Sequence, residues 1–383
     1  MQWKRRAAAV VFASLVGATV ASGPVVADDD RRGDHGAGVQ REGLVFVQTN
    51  KPLGNTIKVY ERDRDGKLTP AGEFETGGLG GATVGPPVDA LASQGSLRYE
   101  DGLLFAVNAG SNTVTVFRVN DDGLERTDVI WSGGLLPVSI GVHEDLVYVL
   151  NAGGDGSVQG YRLDHGRLQP IRGANRSLDL GNANPPAFGD APAQVSVTPD
   201  GRFVLVSTKS HNTVEAFEIE DGGQLSEPVS NPAEGTPFGF TFDDHRGVVV
   251  TESGTNALAR YLLDGEGKLR QVSPAVPNGQ MASCWVQRVG DYFYVANAGS
   301  STISAYRVGD DGQLVLVAAV VASTGGGSID MTEGGGFLYV QNAAAGNVQG
   351  YAVHDDGSLT LVTTVDGLPT FANGIGMEGI AAS

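Results

Sequence analysis

Cysteine, positive charge and long apolar runs are all scarce in this chain of 383 residues. Cys284 is the one cysteine, so the chain has no internal disulfide and must depend on a large core. Its strand-like surroundings, MASCWVQ, favour a small buried apolar role over a nucleophilic one. Lys and Arg number 26 against 44 Asp and Glu, a formal charge of −18, which disfavours nucleic acids and anionic membranes as partners.

The N-terminus has the three parts of a secretory signal peptide. Three cations at positions 4–6 precede an apolar stretch, and VVA at 25–27 offers small residues before a cleavage site. Beyond this point no segment reaches the roughly 18 apolar residues of a membrane span, so no membrane insertion is expected. We predict a secreted protein in three parts: a signal peptide (1–27), a disordered leader (28–42) and a folded domain (43–383).

A short alternating strand that ends in an aromatic residue recurs seven times along the chain. The aromatic residues are Tyr60, Phe117, Tyr161, Phe217, Tyr261, Tyr306 and Tyr351. Most copies lie about 45 residues apart, which is the length of a four-stranded propeller blade. Asp-Gly pairs, as at 65–66 and 311–312, are typical of type I′ turns between strands. We therefore predict an all-β fold, a seven-bladed β-propeller.

The two ends of the chain predict how the ring closes. The first unit starts at GLVFVQTN (43–50) with no inner strand before it, and the chain ends at GMEGIAAS (376–383), an inner strand with nothing after it. We expect the C-terminal strand to complete the first blade, because this removes an open sheet edge.

Three irregular segments indicate which face of the propeller carries function. Residues 77–96 (the first insertion) and 173–193 (the second insertion) lengthen two connections between blades, and residues 366–376 join the last outer strand to the closing strand. In a four-stranded meander these connections share a face with the loops between the second and third strands. Long loops on a rigid scaffold are where binding and catalysis usually lie.

The loops between the second and third strands carry Asn in five of seven units: Asn50, Asn108, Asn151, Asn297 and Asn342. Turn formation explains a recurrent Asn, and three of these residues are also candidate substrate contacts, namely Asn108, Asn151 and Asn297. The starts of the inner strands add further candidates around the same opening: Gln94, Gln194 and Phe238.

Three charged or titratable side chains break the Asn pattern in adjacent units. STKSHNT contains Lys209 and His211, and TESGTN places Glu252 at the matching position of the next unit. They form either a catalytic trio at the channel mouth or an inter-blade salt bridge beside a spectator His. No pair of histidines has metal-ligand spacing, so no bound metal is expected.

The units resemble those of the lactonase-type seven-bladed propellers, the family of bacterial 6-phosphogluconolactonase and fungal carboxymuconate cyclase. The similarity rests on VNAGSNTVTVFRV, on VSVTPDGRFVLVSTKSHNTVEAF (195–217) and on Asp-Gly turns followed by Leu, and it covers residues 43–383. GGLGG in the first insertion and ASCWV in the sixth unit make exported actinobacterial members the most similar subgroup.

The resemblance implies lactone hydrolysis or formation without a metal or organic cofactor. Phosphogluconolactonase-like members carry a His and a Glu where this chain has Gln194 and Lys209, so an amide and a cation replace an acid–base pair. The first hypothesis is an exported, monomeric enzyme for a small-molecule lactone, in which Glu252 or His211 activates water and Lys209 stabilises the oxyanion.

The second hypothesis is a non-catalytic extracellular propeller that binds a ligand on the same face. Convergence of the trio within hydrogen-bond reach favours the enzyme. Separation of the trio, or a channel mouth plugged by the two insertions, contradicts the enzyme hypothesis built on this trio.

Overall fold

The computed structural model describes residues 41–383, which form seven four-stranded antiparallel sheets around a central axis. The predicted seven-bladed β-propeller is therefore confirmed. The predicted signal peptide, and the leader up to residue 40, lie outside the described residues. The first strand begins at Arg41, two residues before the predicted start of the domain.

The blades are numbered in chain order, and each is given from its inner to its outer strand. Blade 1 contains β28 (Glu378–Ala382), β1 (Arg41–Gln48), β2 (Thr56–Asp63) and β3 (Leu68–Glu75). Blade 2 contains β4 (Leu97–Glu100), β5 (Leu103–Asn108), β6 (Thr113–Asn120) and β7 (Gly123–Trp131). Blade 3 contains β8 (Pro137–His143), β9 (Leu146–Asn151), β10 (Ser157–Asp164) and β11 (Arg167–Ser177). Blade 4 contains β12 (Gln194–Val197), β13 (Phe203–Ser207), β14 (Thr213–Glu218) and β15 (Val229–Pro232).

The remaining blades follow the same order. Blade 5 contains β16 (Pro237–Phe242), β17 (Gly247–Glu252), β18 (Ala257–Leu263) and β19 (Leu269–Pro277). Blade 6 contains β20 (Ser283–Val289), β21 (Tyr292–Asn297), β22 (Thr302–Val308) and β23 (Leu314–Ser323). Blade 7 contains β24 (Ser328–Gly334), β25 (Phe337–Asn342), β26 (Asn347–Val353) and β27 (Leu359–Asp366). Two short 3₁₀ turns, Lys209–His211 and Asp221–Gly223, complete the described part, where no helix is long and apolar enough to cross a membrane.

The C-terminal strand closes the ring as expected. β28 pairs antiparallel with β1, with Ile380 opposite Val47 and Ala382 opposite Val45. The Leu44 N–H donates to the Ser383 hydroxyl (2.8 Å), and this contact fastens the last residue of the chain to the first strand. The first and last strands of the propeller therefore share one sheet.

The Asp-Gly turns differ from the predicted type I′ form, which needs positive φ at both residues. Gly66 has a φ of 78°, but the residue before it does not adopt the left-handed region. The Asp63 carboxylate instead accepts the N–H groups of Asp65 (2.9 Å) and Lys67 (2.8 Å). An Asp side chain two residues earlier thus stabilises a wider turn that needs one left-handed glycine.

Buried tyrosines connect neighbouring blades. Those on second strands donate their hydroxyls to a turn carbonyl of the next blade: Tyr148 to Gly223, Tyr294 to Gly357 and Tyr339 to Gly66. Those that end third strands donate to the outer strand of the preceding blade: Tyr161 to Trp131, Tyr306 to Val276 and Tyr351 to Ser323. At Tyr161, Tyr306 and Tyr351 the repeated aromatic residue therefore joins two blades and satisfies its own hydroxyl.

Candidate functional site

The irregular connections meet over the central axis. Val84 in the first insertion forms a parallel β-bridge with Ala187 in the second insertion. The Asn50 side-chain amide donates to the Gly376 carbonyl (3.3 Å), which ties the closing connection to blade 1. The same amide donates to the Gly81 carbonyl (2.9 Å), so the first insertion contacts the second directly and is linked to the closing connection through Asn50.

The end of the first insertion, Asp89–Gln94 (the plug segment), lies inside the mouth. Gln94 spans the axis to blade 6, where its amide donates to the Val286 carbonyl (3.0 Å) and accepts the Val286 N–H (3.0 Å). Trp285 Nε1 donates to the Ser93 carbonyl (2.9 Å). All six residues of the plug segment are buried, so the insertion closes the channel mouth.

Three ionisable side chains form a buried cluster with the plug segment: Asp89, Lys209 and Glu378 (the axial cluster). The Asp89 carboxylate accepts the three successive N–H groups of residues 91–93 at 2.9–3.0 Å. Glu378 Oε1 also accepts the N–H of residue 91 (3.1 Å). Lys209 Nζ donates to the Ala92 carbonyl (2.8 Å). The cluster thus holds the plug segment by its backbone.

Burial changes the protonation of the axial cluster. It raises the pKa of Asp89, and burial together with the nearby Asp89 charge raises the pKa of Glu378 well above its ordinary value. The two carboxyls are hydrogen-bonded to each other. Burial lowers the pKa of Lys209 to about 7, against the attraction of Asp89. A carboxyl pair in such contact keeps one proton at neutral pH, so the cluster contains both a proton donor and a proton acceptor.

Aromatic rings surround the Lys209 amine. Its nitrogen lies 5.0 Å from the ring centroid of Phe188 and 5.2 Å from that of Phe238. The Phe238 ring meets Trp285 edge to face, with centroids 5.1 Å apart. Such rings attract the ammonium form and exclude water. Phe238 is therefore the predicted substrate contact that does border the axial cluster.

The predicted trio does not converge. Lys209 belongs to the axial cluster, whereas Glu252, at the end of β17, is held by the hydroxyls of Tyr261 (3.2 Å) and Thr255 (3.4 Å). Burial raises the pKa of Glu252. His211 is exposed at the end of a 3₁₀ turn. Within residues 41–383 no hydrogen bond or ion pair joins any two of the trio, so neither the catalytic trio nor the inter-blade salt bridge is formed.

The three predicted asparagine contacts are buried and bonded within the scaffold. Asn108 donates to the hydroxyls of Thr113 (3.1 Å) and Thr115 (2.9 Å). Asn297 makes the equivalent bonds in its blade, and Asn151 donates to the Ser132 carbonyl (3.0 Å). Their amides hold loops and strands in place and are not available to a substrate in this conformation.

The two predicted glutamines connect strands at the axis. Gln194 bonds the backbone of Phe240 on blade 5 through its oxygen (2.7 Å) and its nitrogen (2.9 Å). Gln94 does the same with Val286 on blade 6. Among the described residues, no backbone hydrogen bonds join the inner strands of different blades at the centre of the ring. Each of these side-chain amides supplies hydrogen bonds between blades instead, which is a structural role.

Asp89 and Glu378 are the site residues that sequence reasoning missed. Asp89 stands in the middle of an irregular insertion, and Glu378 belongs to the closing strand. Their surroundings, VDALA and GMEGIAA, place a single acid among small and apolar residues. An acid that interrupts an apolar run in this way is a sequence signal for a buried carboxyl, and both residues are buried.

Beneath the plug segment the channel continues as a polar cavity of about 80 Å³. Arg98, Gln287 and Asp330 contribute to its lining. Burial raises the pKa of Asp330 to about 7. In the part of the chain that the structure describes, no group of three or more His, Cys, Asp and Glu side chains is arranged to hold a metal ion.

Relatives of similar sequence are named 6-phosphogluconolactonase. The 6-phosphogluconolactonase of Pectobacterium carotovorum subsp. carotovorum is 34% identical over 24% of this chain, and that of Bacillus subtilis is 27% identical over 44% of it. The chain matches 26% and 48% of the lengths of these relatives, which is at most about half.

Solved structures extend the likeness to the whole propeller. The periplasmic gluconolactonase of Pseudomonas aeruginosa has a TM-score of 0.64 at 19% identity, over 86% of this chain and 98% of that one. A protein from Lactobacillus plantarum has a TM-score of 0.64 at 18% identity, over 90% and 99%. At these identities the likeness concerns the fold alone. The family model described as lactonase, 7-bladed beta-propeller, matches residues 154–286 and 273–370, more than half of the chain, which therefore belongs to that family.

Proposed function

We propose that the protein is an exported enzyme that hydrolyses a lactone or similar cyclic ester at the centre of its loop-decorated face. The observation that carries the proposal is the axial cluster, where an amine and two carboxyls meet in a water-excluding aromatic site. Membership of the lactonase family and relatives named 6-phosphogluconolactonase support the reaction class.

The rigid part of the cluster suggests the chemical roles. Lactone hydrolysis needs a base that activates water and a donor that stabilises the oxyanion. Glu378 lies on the inner strand β28 and Lys209 begins the 3₁₀ turn two residues after β13, whereas Asp89 belongs to the plug segment. When the plug segment lifts, Asp89 leaves with it and the shared proton passes to solvent. Glu378 then takes a proton from the attacking water, and the Lys209 ammonium faces the developing oxyanion. When the ring C–O bond breaks, Glu378 returns this proton to the leaving alkoxide.

Two isosteric changes of the carboxyl pair test this assignment. On a panel of phosphorylated and uncharged lactones, we expect Glu378→Gln to lower kcat/KM by about 100-fold or more, as loss of a general base does. Asp89→Asn is the matched control, because it neutralises the other carboxyl but removes no catalytic group. It should retain activity within about tenfold of the wild type.

The same experiment tests the assigned residue roles and the proposed lactone hydrolysis separately. If Asp89→Asn loses as much activity as Glu378→Gln, the cluster is structural and the assigned roles are wrong. If the wild type hydrolyses no lactone in the panel, the proposed function itself is overturned. Thermal unfolding of each variant shows whether the fold is intact.

A second candidate is a non-catalytic extracellular propeller that binds its ligand on the same face. The separation of the predicted trio and the plug segment both favour it, because the plug segment fills the mouth and bonds blade 6 through Gln94 and blade 3 through the Ser93 hydroxyl. Under this function the backbone amides of residues 89–94 exchange slowly with solvent deuterium, and no lactone changes that rate. The hydrolase requires opening of the plug segment and therefore measurable exchange there.

A further inference from the structure

The three irregular segments around the mouth carry little positive charge. Residues 77–96 and 366–376 contain no Lys, Arg or His, and residues 173–193 contain Arg176 alone. Arg176 Nε donates to the Ser226 carbonyl (3.0 Å) and lies 3.7 Å from the Glu227 carboxylate, so this cation is held at blade 4. The same segments carry four acids, namely Asp89, Asp179, Asp190 and Asp366. The entrance to the axial cluster is therefore acidic.

The other loops of this face contain no arginine, and their lysines are Lys51 and Lys209. Lys51 Nζ donates to the Glu73 carboxylate (2.7 Å), and Lys209 faces the oxyanion in the proposed reaction. Phosphate groups are normally bound by Arg, Lys or a helix N-terminus. A phosphorylated lactone would therefore bring its charge among acids without a second cation to pair it.

Apolar side chains lie around the entrance to the axial cluster: Val84, Pro86, Phe188, Phe371 and Ile375 (the mouth rim). The Phe188 N–H donates to the Val84 carbonyl (3.0 Å), and the Phe188 ring lies 5.0 Å from Lys209 Nζ. Pro86 lies against Gly374, where an added Cβ would be 3.7 Å from its ring. The first insertion, the second insertion and the closing connection thus each contribute to one apolar border.

The mouth rim offers no hydrogen-bonding side chain to a substrate. Val84 is 55% exposed and Ile375 is 37% exposed, so apolar surface faces solvent at the entrance. The amides of Asn108, Asn151 and Asn297 are already bonded within the scaffold. The hydroxyls of a sugar lactone lose water on binding and need new partners, whereas an alkyl or aryl group needs none.

We propose that the substrate is an uncharged lactone whose ring carries an apolar substituent, and that the mouth rim binds this substituent. The inference rests on the proposed lactone hydrolysis and narrows its substrate. The ring carbonyl meets Lys209 and Glu378 once the plug segment has lifted, while the substituent covers the mouth rim and is removed from water. Hydrolysis converts the neutral lactone into a hydroxy acid, whose new carboxylate is repelled by the acids around the mouth. The same charge pattern therefore admits the substrate and favours release of the product.

A set of δ-lactones that differ only outside the ester tests the proposal. The probes are δ-valerolactone without a substituent, δ-decalactone with a pentyl chain, glucono-δ-lactone and 6-phosphoglucono-δ-lactone. After subtraction of spontaneous hydrolysis, we expect kcat/KM for δ-decalactone to exceed that for δ-valerolactone by about 10- to 100-fold, as for a filled apolar pocket. Relative to their spontaneous rates, both sugar lactones should be at least about tenfold poorer substrates than δ-decalactone.

A charge in the mouth rim tests where the substituent binds. Val84→Asp should lower the ratio of kcat/KM for δ-decalactone to that for δ-valerolactone by about fivefold or more. This ratio is insensitive to the folded fraction and to opening of the plug segment, because both substrates use the same axial cluster. Leu53→Asp is the matched control, since Leu53 is 98% exposed in a loop of the same face outside the mouth rim and should leave the ratio unchanged.

The outcomes distinguish this inference from the proposed function. Preferred hydrolysis of either sugar lactone overturns the apolar substrate but leaves lactone hydrolysis standing. Absence of hydrolysis of all these lactones overturns both. A ratio that Val84→Asp leaves unchanged, or that Leu53→Asp lowers equally, overturns the role of the mouth rim.

Discussion

Asp330 illustrates at the residue scale how one buried carboxyl makes stability depend on pH. It lies beneath the plug segment and accepts the N–H groups of Gly95 (3.0 Å) and Met331 (2.9 Å). Burial raises its pKa from 3.8 to about 7. Between these two values the folded state binds a proton that the unfolded state has released. Stability from this group is therefore present at low pH and is lost as the pH rises to about 7.

We expect Asp330→Asn to stabilise the protein at pH 8 by up to about 4 kcal/mol, because the amide removes the ionisation of a buried acid. At pH 4.5, where the folded carboxyl is protonated, the same change should destabilise the protein by about 1 kcal/mol, because the amide nitrogen cannot accept one of the two N–H groups. Urea unfolding of both proteins at the two pH values measures the difference. An equal effect at both would mean that Asp330 is ionised throughout and that its pKa is not raised.

Single residues could be assigned from the sequence where their role is local. The Asn108 nitrogen donates to Thr113 and Thr115 within one strand–loop–strand unit, as the repeat pattern indicates. Its oxygen also accepts from Asn55 and Thr76 of blade 1, which the pattern could not indicate. Asp89 and Glu378 could not be paired in this way. They meet only after the chain has passed round all seven blades, and no repeat pattern connects their positions.

At the scale of elements, the closing strand β28 contributes to the fold and also to the candidate site. It supplies the inner edge of blade 1 and carries Glu378 to the axis. Without it, β1 exposes an unpaired edge and the axial cluster loses a member. The ring then has two free ends instead of one continuous interface.

We therefore expect deletion of residues 376–383 to abolish cooperative unfolding of the whole propeller rather than fray blade 1. Deletion of Ser383 alone is the control. It removes the hydroxyl that accepts the Leu44 N–H and the N–H that donates to the Leu44 carbonyl (3.0 Å), and it should lower the free energy of unfolding by only about 1–2 kcal/mol. Circular dichroism during thermal unfolding distinguishes the two. A sharp transition near the wild-type Tm in the longer deletion would contradict the expected role of β28.

The insertions mark the limit of sequence reasoning about elements. Their length and their shared face were predictable, because blade spacing shows where a connection is too long. The inward path of the plug segment was not, because it depends on bonds such as that between Gln94 and Val286, which are 192 positions apart. The wider turn at Asp65-Gly66 was not predicted for a local reason, since its deciding contact comes from Asp63, which precedes the pair.

At the scale of the whole molecule, the ring couples each blade to both neighbours. Tyr294 of blade 6 donates its buried hydroxyl to the Gly357 carbonyl of blade 7 (3.0 Å), and Tyr339 of blade 7 donates to Gly66 of blade 1. Open repeat arrays unfold in parts because each unit contacts only its neighbours and the ends are free. A closed ring has no free end at which such unfolding can begin.

Because of this coupling, we expect a change that destabilises one blade interface to lower the free energy of unfolding of every blade. Tyr294→Phe removes the buried bond to Gly357 and should lower the free energy of unfolding by about 1–2 kcal/mol. Tyr292→Phe is the matched control, since Tyr292 makes an exposed hydroxyl bond to the same turn, to the Asp355 carbonyl at 3.0 Å, and should change little. In Tyr294→Phe, the backbone amides of β9 in distant blade 3 and of β21 in blade 6 should then lose protection against hydrogen exchange by the same amount. Loss confined to blades 6 and 7 would mean that the blades unfold separately despite the closed ring.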